Sequence, residues 1–176
     1  GPLRPLLMIA IVTGASAGLG AQFARQIVEQ FPEIDTLWLI ARRVGKLEDL
    51  AQTIEGKQVI CLGLDLCDAK SFKYFADYLA PKVGLLVNNA GCGTLGNLGE
   101  VPNETQARMC DLNVRALTLM TNTVLPYMAS GGHIINVSSI ASFCPNPRMT
   151  VYSASKAYVS AFTGGLADEL KPRGIS

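Results

Sequence analysis

Apolar positions follow two rhythms along this chain. Leu6 to Val12 is a short continuous apolar run, the pattern of a strand buried on both faces of a parallel sheet. The residues Leu19, Phe23, Ile27, Val28 and Phe31 then recur at the spacing of one helix face, with Gln22, Arg25 and Glu29 on the other. The pair of rhythms repeats. Thr36 to Ala41, Gln58 to Leu64, Val83 to Val87 and His133 to Val137 read as further strands. Between them come one stripe of Leu47, Leu50, Ala51 and Ile54, ended by Gly56, and another of Phe72, Phe75, Ala76 and Leu79, capped by Asp68 and stopped by Pro81. Glu104 to Met128 predicts a long helix whose Met109, Leu112, Leu117, Leu119, Met120, Val124, Leu125 and Met128 leave little polar face. A last helix runs from Val151 to Leu170 and ends at Pro172 and Gly174.

Strands alternating with helices imply an α/β domain with a doubly wound parallel sheet, right-handed crossovers and helices on both faces. Ligands of such sheets bind beyond the carboxyl ends of the strands. The stretches that fall there are Thr13 to Gly20, Arg42, Asp65, Asn88 to Gly91 and Ser139.

A chain of 176 residues, 49% hydrophobic and 16% charged, suits a single domain with a substantial interior. A net charge of +1 gives no electrostatic footprint for nucleic acid or an anionic membrane. Small molecules or another protein surface are the expected partners. Cys61, Cys67, Cys92, Cys110 and Cys144 form no Cys-x-x-Cys pair and have no histidine cluster nearby. No metal site and no disulfide framework is therefore expected, and free thiols point to a reducing cytoplasm. Arg4, the Leu6 to Val12 run and Ala15-Ser16-Ala17 imitate a signal peptide, but cleavage there would cut through a glycine turn. The run is therefore read as the first strand, and Gly1-Pro2, with the stretch up to Met8, as an addition to the natural chain.

That turn is Thr13-Gly14-Ala15-Ser16-Ala17-Gly18-Leu19-Gly20. Its glycines, spaced Gly-x-x-x-Gly-x-Gly, permit a tight strand-to-helix turn with backbone N–H groups at a helix N-terminus, a site suited to phosphate. Ser16 adds a hydroxyl. Far along the chain, Tyr152 and Lys156 stand four apart at the start of the last helix and so share a face. A phenol is a poor proton donor or acceptor near neutrality, and an adjacent ammonium tunes it. Ser139, at the end of the fifth strand, is suited to holding a carbonyl oxygen beside the tyrosine.

Taken in order, Thr13-Gly14-x-x-x-Gly18-x-Gly20, Asp65, Asn88-Asn89-Ala90-Gly91, Asn113, Ser139 and Tyr152-x-x-x-Lys156 closely resemble the classical short-chain dehydrogenases/reductases, over nearly the whole chain. The resemblance implies a Rossmann fold and hydride transfer between a nicotinamide cofactor and an alcohol or carbonyl. Tyr152 would be general acid in reduction and base in oxidation, and Ser139 would position the reacting oxygen. Lys156 would tune the phenol and bind the nicotinamide ribose, and Asn113 would hold a water that relays protons from Lys156. Gly14, Ser16, Gly18, Leu19 and Gly20 would carry the cofactor phosphates. Asp65 and Leu66 would border the adenine, while Asn89, Ala90 and Gly91 would pass along the cofactor. Members of the family continue with another strand, a Pro-Gly turn and a substrate loop, whereas this sequence stops at Ser176. The region that would specify substrate is thus expected to be missing.

Arg42 and Arg43 follow the second strand, and Ala41 occupies the place of the acid that would bind an NAD ribose. Paired guanidinium donors suit a 2′-phosphate, so NADP(H) is expected in preference to NAD(H). The competing assignment is a solvated pair near Glu48 and Asp49. His133, the only histidine, is read as structural. Cys92 and Cys144 are placed in loops near the site. Surplus apolar surface on the 104–128 and 151–170 helices, named by Met109, Leu117, Met120, Val124, Val159, Ala161, Phe162 and Leu166, leads to an expected homodimer or tetramer through these helices. Ile134 to Val137 is expected to be a bare apolar edge. The rival functional reading is a non-catalytic protein of the same fold that binds a nucleotide or a partner, or an inactive truncated fragment.

Overall fold

The computed structural model describes residues 8–16, 18–79, 82–137 and 147–176. Ser139, Cys144, Pro81, Ala17 and the start of the first apolar run lie outside the described residues.

Five strands, β1 (Met8–Thr13), β2 (Ile34–Ala41), β3 (Gln58–Gly63), β4 (Lys82–Asn88) and β5 (Met128–Asn136), form one parallel sheet in the order β3-β2-β1-β4-β5. Helices α1 (Gly18–Gln30), α2 (Val44–Gln52) and α3 (Ala69–Ala76) connect the first four strands. The sheet's register explains its two cores. Ile60, Trp38, Ile11, Leu86 and Ile134 are partnered in a row across all five strands. They belong with Phe72 and Phe75 of α3 on one face. The next row, Cys61, Leu39, Val12, Val87 and Ile135, points the other way, toward Ala24 and Ile27 of α1 and Leu47 and Leu50 of α2. Successive strand residues alternate faces, so runs without a polar position are what a sheet covered on both sides requires. Phe75, fully buried, meets Trp38 edge-on at 5.7 Å between ring centroids. Burying such a side chain contributes about 1.5–3 kcal/mol.

Four expectations change. In α1 the inner face is Gly20, Ala24 and Ile27, while Leu19 is 55% exposed. The helix presses its glycine side onto the turn, and that rotation carries Leu19 outward. The long helix over 104–128 is not uniform: α4 (Asn103–Cys110) leads into a π-helical segment (Asp111–Ala116), then α5 (Leu117–Val124), and a 3₁₀ turn (Leu125–Tyr127) containing Pro126. β5 then begins at Met128, paired with Val83, before a loop through Gly131 (φ +82°) returns it to register at His133 opposite Leu85. Met109, Leu117, Met120 and Val124 are all buried within the single chain, as is Val159. They therefore supply no surplus surface for a partner.

The last helix, α6 (Thr150–Leu170), ends in a 3₁₀ turn (Lys171–Arg173) and Gly174 in the left-handed conformation. Beyond it the chain lies along the edge of β5. Gly131 N–H donates to Gly174 O (2.8 Å), Ser176 N–H to Gly132 O (3.1 Å) and Ile134 N–H to Ser176 O (2.7 Å). The expected bare edge is therefore paired at its first residue, Ile134. Among the described residues, no helix is long and apolar enough to cross a membrane.

Candidate active site and cofactor cleft

Thr13, the last residue of β1, ties the two strands between which the chain's winding reverses. Its side chain is 98% covered, and Oγ1 accepts hydrogen bonds from the N–H groups of Asn89 and Ala90, each at 3.0 Å, while donating to Val87 O at 3.5 Å. The carboxyl ends of β1 and β4 are thereby fixed to one another at the place where ligands of such sheets bind. The turn after Thr13 needs its glycines for different reasons. At Gly14 (φ +61°) a Cβ would stand 3.0 Å from Ala90 backbone, and at Gly20 it would stand 2.0 Å from Gly14 O. Gly18 (φ +61°) has open space around it, so there the backbone conformation alone selects glycine. Asn89 Nδ2 donates to Gly14 O at 3.2 Å and closes the turn against β4.

Beside this turn lies a cleft of about 240 Å³ lined by Gly14, Ser16, Ala90 and Gly91, by Ala41, Arg42, Arg43 and Lys46, by Leu64, Asp65 and Leu66, and by Arg108 and Leu112. Arg42, Arg43 and Lys46 have no ion-pair partner among the described residues, where the one pair is Arg108 with Asp65 at 3.9 Å. Neither Glu48 nor Asp49 forms an ion pair with the two arginines, and that side of the cleft presents three cationic side chains. At the other side, Asp65 Oδ1 accepts from Cys67 N–H at 3.0 Å, and Arg108 also donates to Cys67 Sγ at 3.4 Å. Burial pushes the Cys67 thiol above its ordinary range, with the Arg108 charge pulling the other way. Leu66 is buried, and Leu112 brings an apolar side chain from the π segment.

Asn113, in the same π segment, is 1% exposed. Its Oδ1 accepts from Cys92 N–H (2.9 Å), and its Nδ2 donates to Cys92 O (2.8 Å) and Ser155 Oγ (3.1 Å). Ser155 Oγ in turn donates to the Tyr152 carbonyl at 2.7 Å. Tyr152 and Lys156 occupy the first two turns of α6, with Lys156 Nζ 5.5 Å from the Tyr152 ring centroid. Lys156 Nζ also lies 3.6 Å from where a Cβ on Gly91 would stand, which brings Lys156 to the wall of the cleft. Burial raises the Cys92 thiol, opposed by the charges of Arg108 and Lys156. Deeper in, Asn88 Nδ2 donates to Thr121 Oγ1 (3.0 Å) and Asn136 Oδ1 (2.9 Å), joining β4 to α5 and β5. No cluster of metal-ligating side chains occurs among the described residues.

The sequence matches the short chain dehydrogenase family over residues 8–176. The chain belongs to that family. It is 35% identical over 176 residues to a short chain dehydrogenase of Pseudocercospora fijiensis, an alignment covering 94% of this chain and 56% of the relative. The chain thus spans little more than half the length of that relative. Among solved structures, a short-chain dehydrogenase from Sphingobium yanoikuyae in complex with NADPH superposes with a TM-score of 0.86 at 33% identity, covering 96% of this chain and 68% of that one. The bulky-bulky ketone specific alcohol dehydrogenase from Comamonas testosteroni gives 0.86 at 30% identity, covering 96% and 70%.

Of the residues singled out from sequence, those that are described gather in one region. Gly14, Ser16, Arg42, Arg43, Asp65, Leu66, Ala90 and Gly91 line the cleft, Asn113 and Lys156 adjoin Gly91, and the Tyr152 ring lies against Gly93 two residues on. Gly18, Leu19, Gly20 and Asn89 shape the turn beside it without lining it. Sequence reasoning missed Lys46, Arg108 and Leu112. Lys46 stands in the first turn of α2, four residues beyond Arg42, and Arg108 and Leu112 are themselves four apart on neighbouring helical turns, so helical spacing carried the signal.

Proposed function

We propose that this protein is an oxidoreductase that transfers a hydride between NADP(H) and an alcohol or carbonyl substrate, with Tyr152 as general acid in reduction and general base in oxidation. The observation that carries this reading is that Lys156 stands beside Gly91 in the wall of a cationic cleft, with the Tyr152 ring against Gly93 next to it. A protein that merely held a nucleotide would have no use for a phenol and an ammonium at the end of its cleft.

The cleft fits the cofactor class. Gly14 and Gly18 leave the turn without side chains where a pyrophosphate would approach the α1 N-terminus, and Ser16 adds a donor. Arg42 and Arg43, assisted by Lys46, are three uncommitted cations suited to a 2′-phosphate, while Ala41 offers no carboxylate to a free ribose hydroxyl. Asp65 and Leu66 would border the adenine, with Arg108 and Leu112 beside them. When bound, the nicotinamide supplies or accepts the hydride. Tyr152 would give its phenolic proton to the carbonyl oxygen during reduction and take it back from the hydroxyl during oxidation. Ser139 would hold that oxygen, Lys156 would bind the ribose and replenish the proton, and Asn113 would support the relay. The relative from Sphingobium yanoikuyae bound to NADPH and the ketone-specific relative from Comamonas testosteroni support the cofactor and substrate classes.

The protein is further read as a cytoplasmic homodimer through the outer faces of the 104–128 and 151–170 helices. The surface differs from the buried residues first named for it. Tyr158, stacked on Phe162 at 5.8 Å and bonded through its hydroxyl to Thr118 at 2.7 Å, stands among exposed Ala154, Ala157, Ala161 and Gly165.

Calorimetric titration with NADPH and NADH tests the cofactor assignment. NADPH should bind more tightly, and Arg42→Ala should remove most of that preference, about 1–3 kcal/mol for a charge-assisted contact. Equal affinities in the unsubstituted protein would reject it.

A further inference from the structure

We propose that Gly93 is a positioning residue for Tyr152: the bare backbone of Gly93 is the seat on which the phenol ring rests, and the Asn113 carboxamide holds that seat in place. The inference rests on the reading of Tyr152 as the proton-transferring group. A Cβ at Gly93 would stand 2.9 Å from Cδ2, 3.1 Å from Cε2 and 3.5 Å from Cγ of Tyr152. These atoms form the body of the ring and not the end of a flexible chain, so a side chain at residue 93 displaces the ring as a whole. Gly93 is not among the glycines with positive φ. Its backbone would therefore accept alanine, and what glycine contributes here is the missing side chain rather than conformational freedom.

The loop bearing Gly93 is fixed from below. The Asn113 carboxamide forms paired hydrogen bonds with both peptide groups of Cys92, at 2.9 and 2.8 Å. The same carboxamide reaches Ser155, whose hydroxyl holds the Tyr152 carbonyl. One buried side chain thus joins the loop beneath the ring to the helical turn that carries the ring. Asn113 reaches both because it lies within the π segment, where an extra residue per turn re-aims side chains, a device common at functional sites. A ring displaced from Gly93 also loses its set separation from Lys156, now 5.5 Å from ring centroid to Nζ.

Gly93→Ala tests this through the ring itself and through turnover. In thermal unfolding, Gly93→Ala should lower the midpoint in the Tyr152 protein and in Tyr152→Phe, which keeps the ring, but not in Tyr152→Ala, which removes it. An equal effect in all three overturns the contact. In NADPH-dependent ketone reduction, Gly93→Ala should cut kcat by about tenfold to a hundredfold, the scale of a misplacement near 1 Å, while cofactor Kd stays within about twofold. In a Tyr152→Phe background the same substitution should lower the residual rate no further, since the group it acts through is gone. An unchanged kcat, or an equal fractional loss in both backgrounds, rejects the positioning role while leaving the assignment of Tyr152 standing. Full turnover by Tyr152→Phe, or none by the unsubstituted protein, would instead reject the reading of the site and the positioning role with it.

Discussion

Replacing Thr13 by valine isolates the hydrogen bonds that join β1 to β4, because valine keeps the shape and branching of threonine and removes only the hydroxyl. Thr13 Oγ1 is the acceptor for two backbone N–H groups at 3.0 Å, and neither has another acceptor among the described residues. Leaving a covered donor unsatisfied costs about 1–3 kcal/mol. Asn89 and Ala90 are only partly covered, so the lower half of that range applies to each, and the substitution should cost about 2–4 kcal/mol. Thr13→Ser keeps the hydroxyl and loses one methyl, worth roughly 0.8 kcal/mol. Urea unfolding of the three proteins measures the difference, and in thermal unfolding Thr13→Val should fall by about 4–16 °C. Because Ala90 and Gly91 line the cleft, the valine protein should also bind cofactor more weakly than the serine protein. Equal stability of Thr13→Val and Thr13→Ser would refute the claim that this hydroxyl holds the switch point together.

Lys46→Ala should weaken NADPH binding and leave NADH binding unchanged in calorimetry; equal weakening of both would remove Lys46 from the 2′-phosphate site. Burial raises the thiols of Cys61, Cys67 and Cys92. The unfolded chain, with thiols near about 8.5, therefore loses those protons first as pH rises. Their contribution to stability is complete below that value and is lost as pH climbs through the raised folded values, so urea midpoints should decline above it, and less so in the Cys→Ser variants; a flat profile would contradict this. Light scattering should give about twice the 18.7 kDa chain mass, and Tyr158→Lys should give the single-chain mass; a monomer at high concentration without any substitution would reject the dimer.

The strand runs and the cleft residues at their ends could be read from sequence because a buried parallel strand is nearly all apolar and its ligand site lies just after it. What escaped depends on rotation and on atoms without sequence rhythm. Leu19 fitted a helical stripe, but the close approach of Gly20 to Gly14 O decided which side of α1 faces the sheet. Met109, Leu117, Met120 and Val124 point several ways on a regular helix, whereas the structure, with a π segment between α4 and α5, buries all four. Thr13 was legible as part of a motif, yet its role comes from two N–H groups more than seventy residues away. The pairing at Ile134 has no signal in the sequence, because Gly174 to Ser176 carry no strand pattern and pair through backbone alone. Gly93 had no signal at all, since an absent side chain matters only once the ring of Tyr152 is beside it.

Hydride transfer itself is tested most directly by following deuterium from labelled NADPH into the alcohol formed from a ketone panel. The account predicts deuterium on the carbinol carbon of the product with the unsubstituted protein, and only a small residual transfer with Tyr152→Phe despite near-normal NADPH binding, because the ring still packs and only the proton is lost. A protein that binds NADPH tightly and transfers no deuterium to any ketone, or a Tyr152→Phe protein that transfers it at the full rate, would contradict the account.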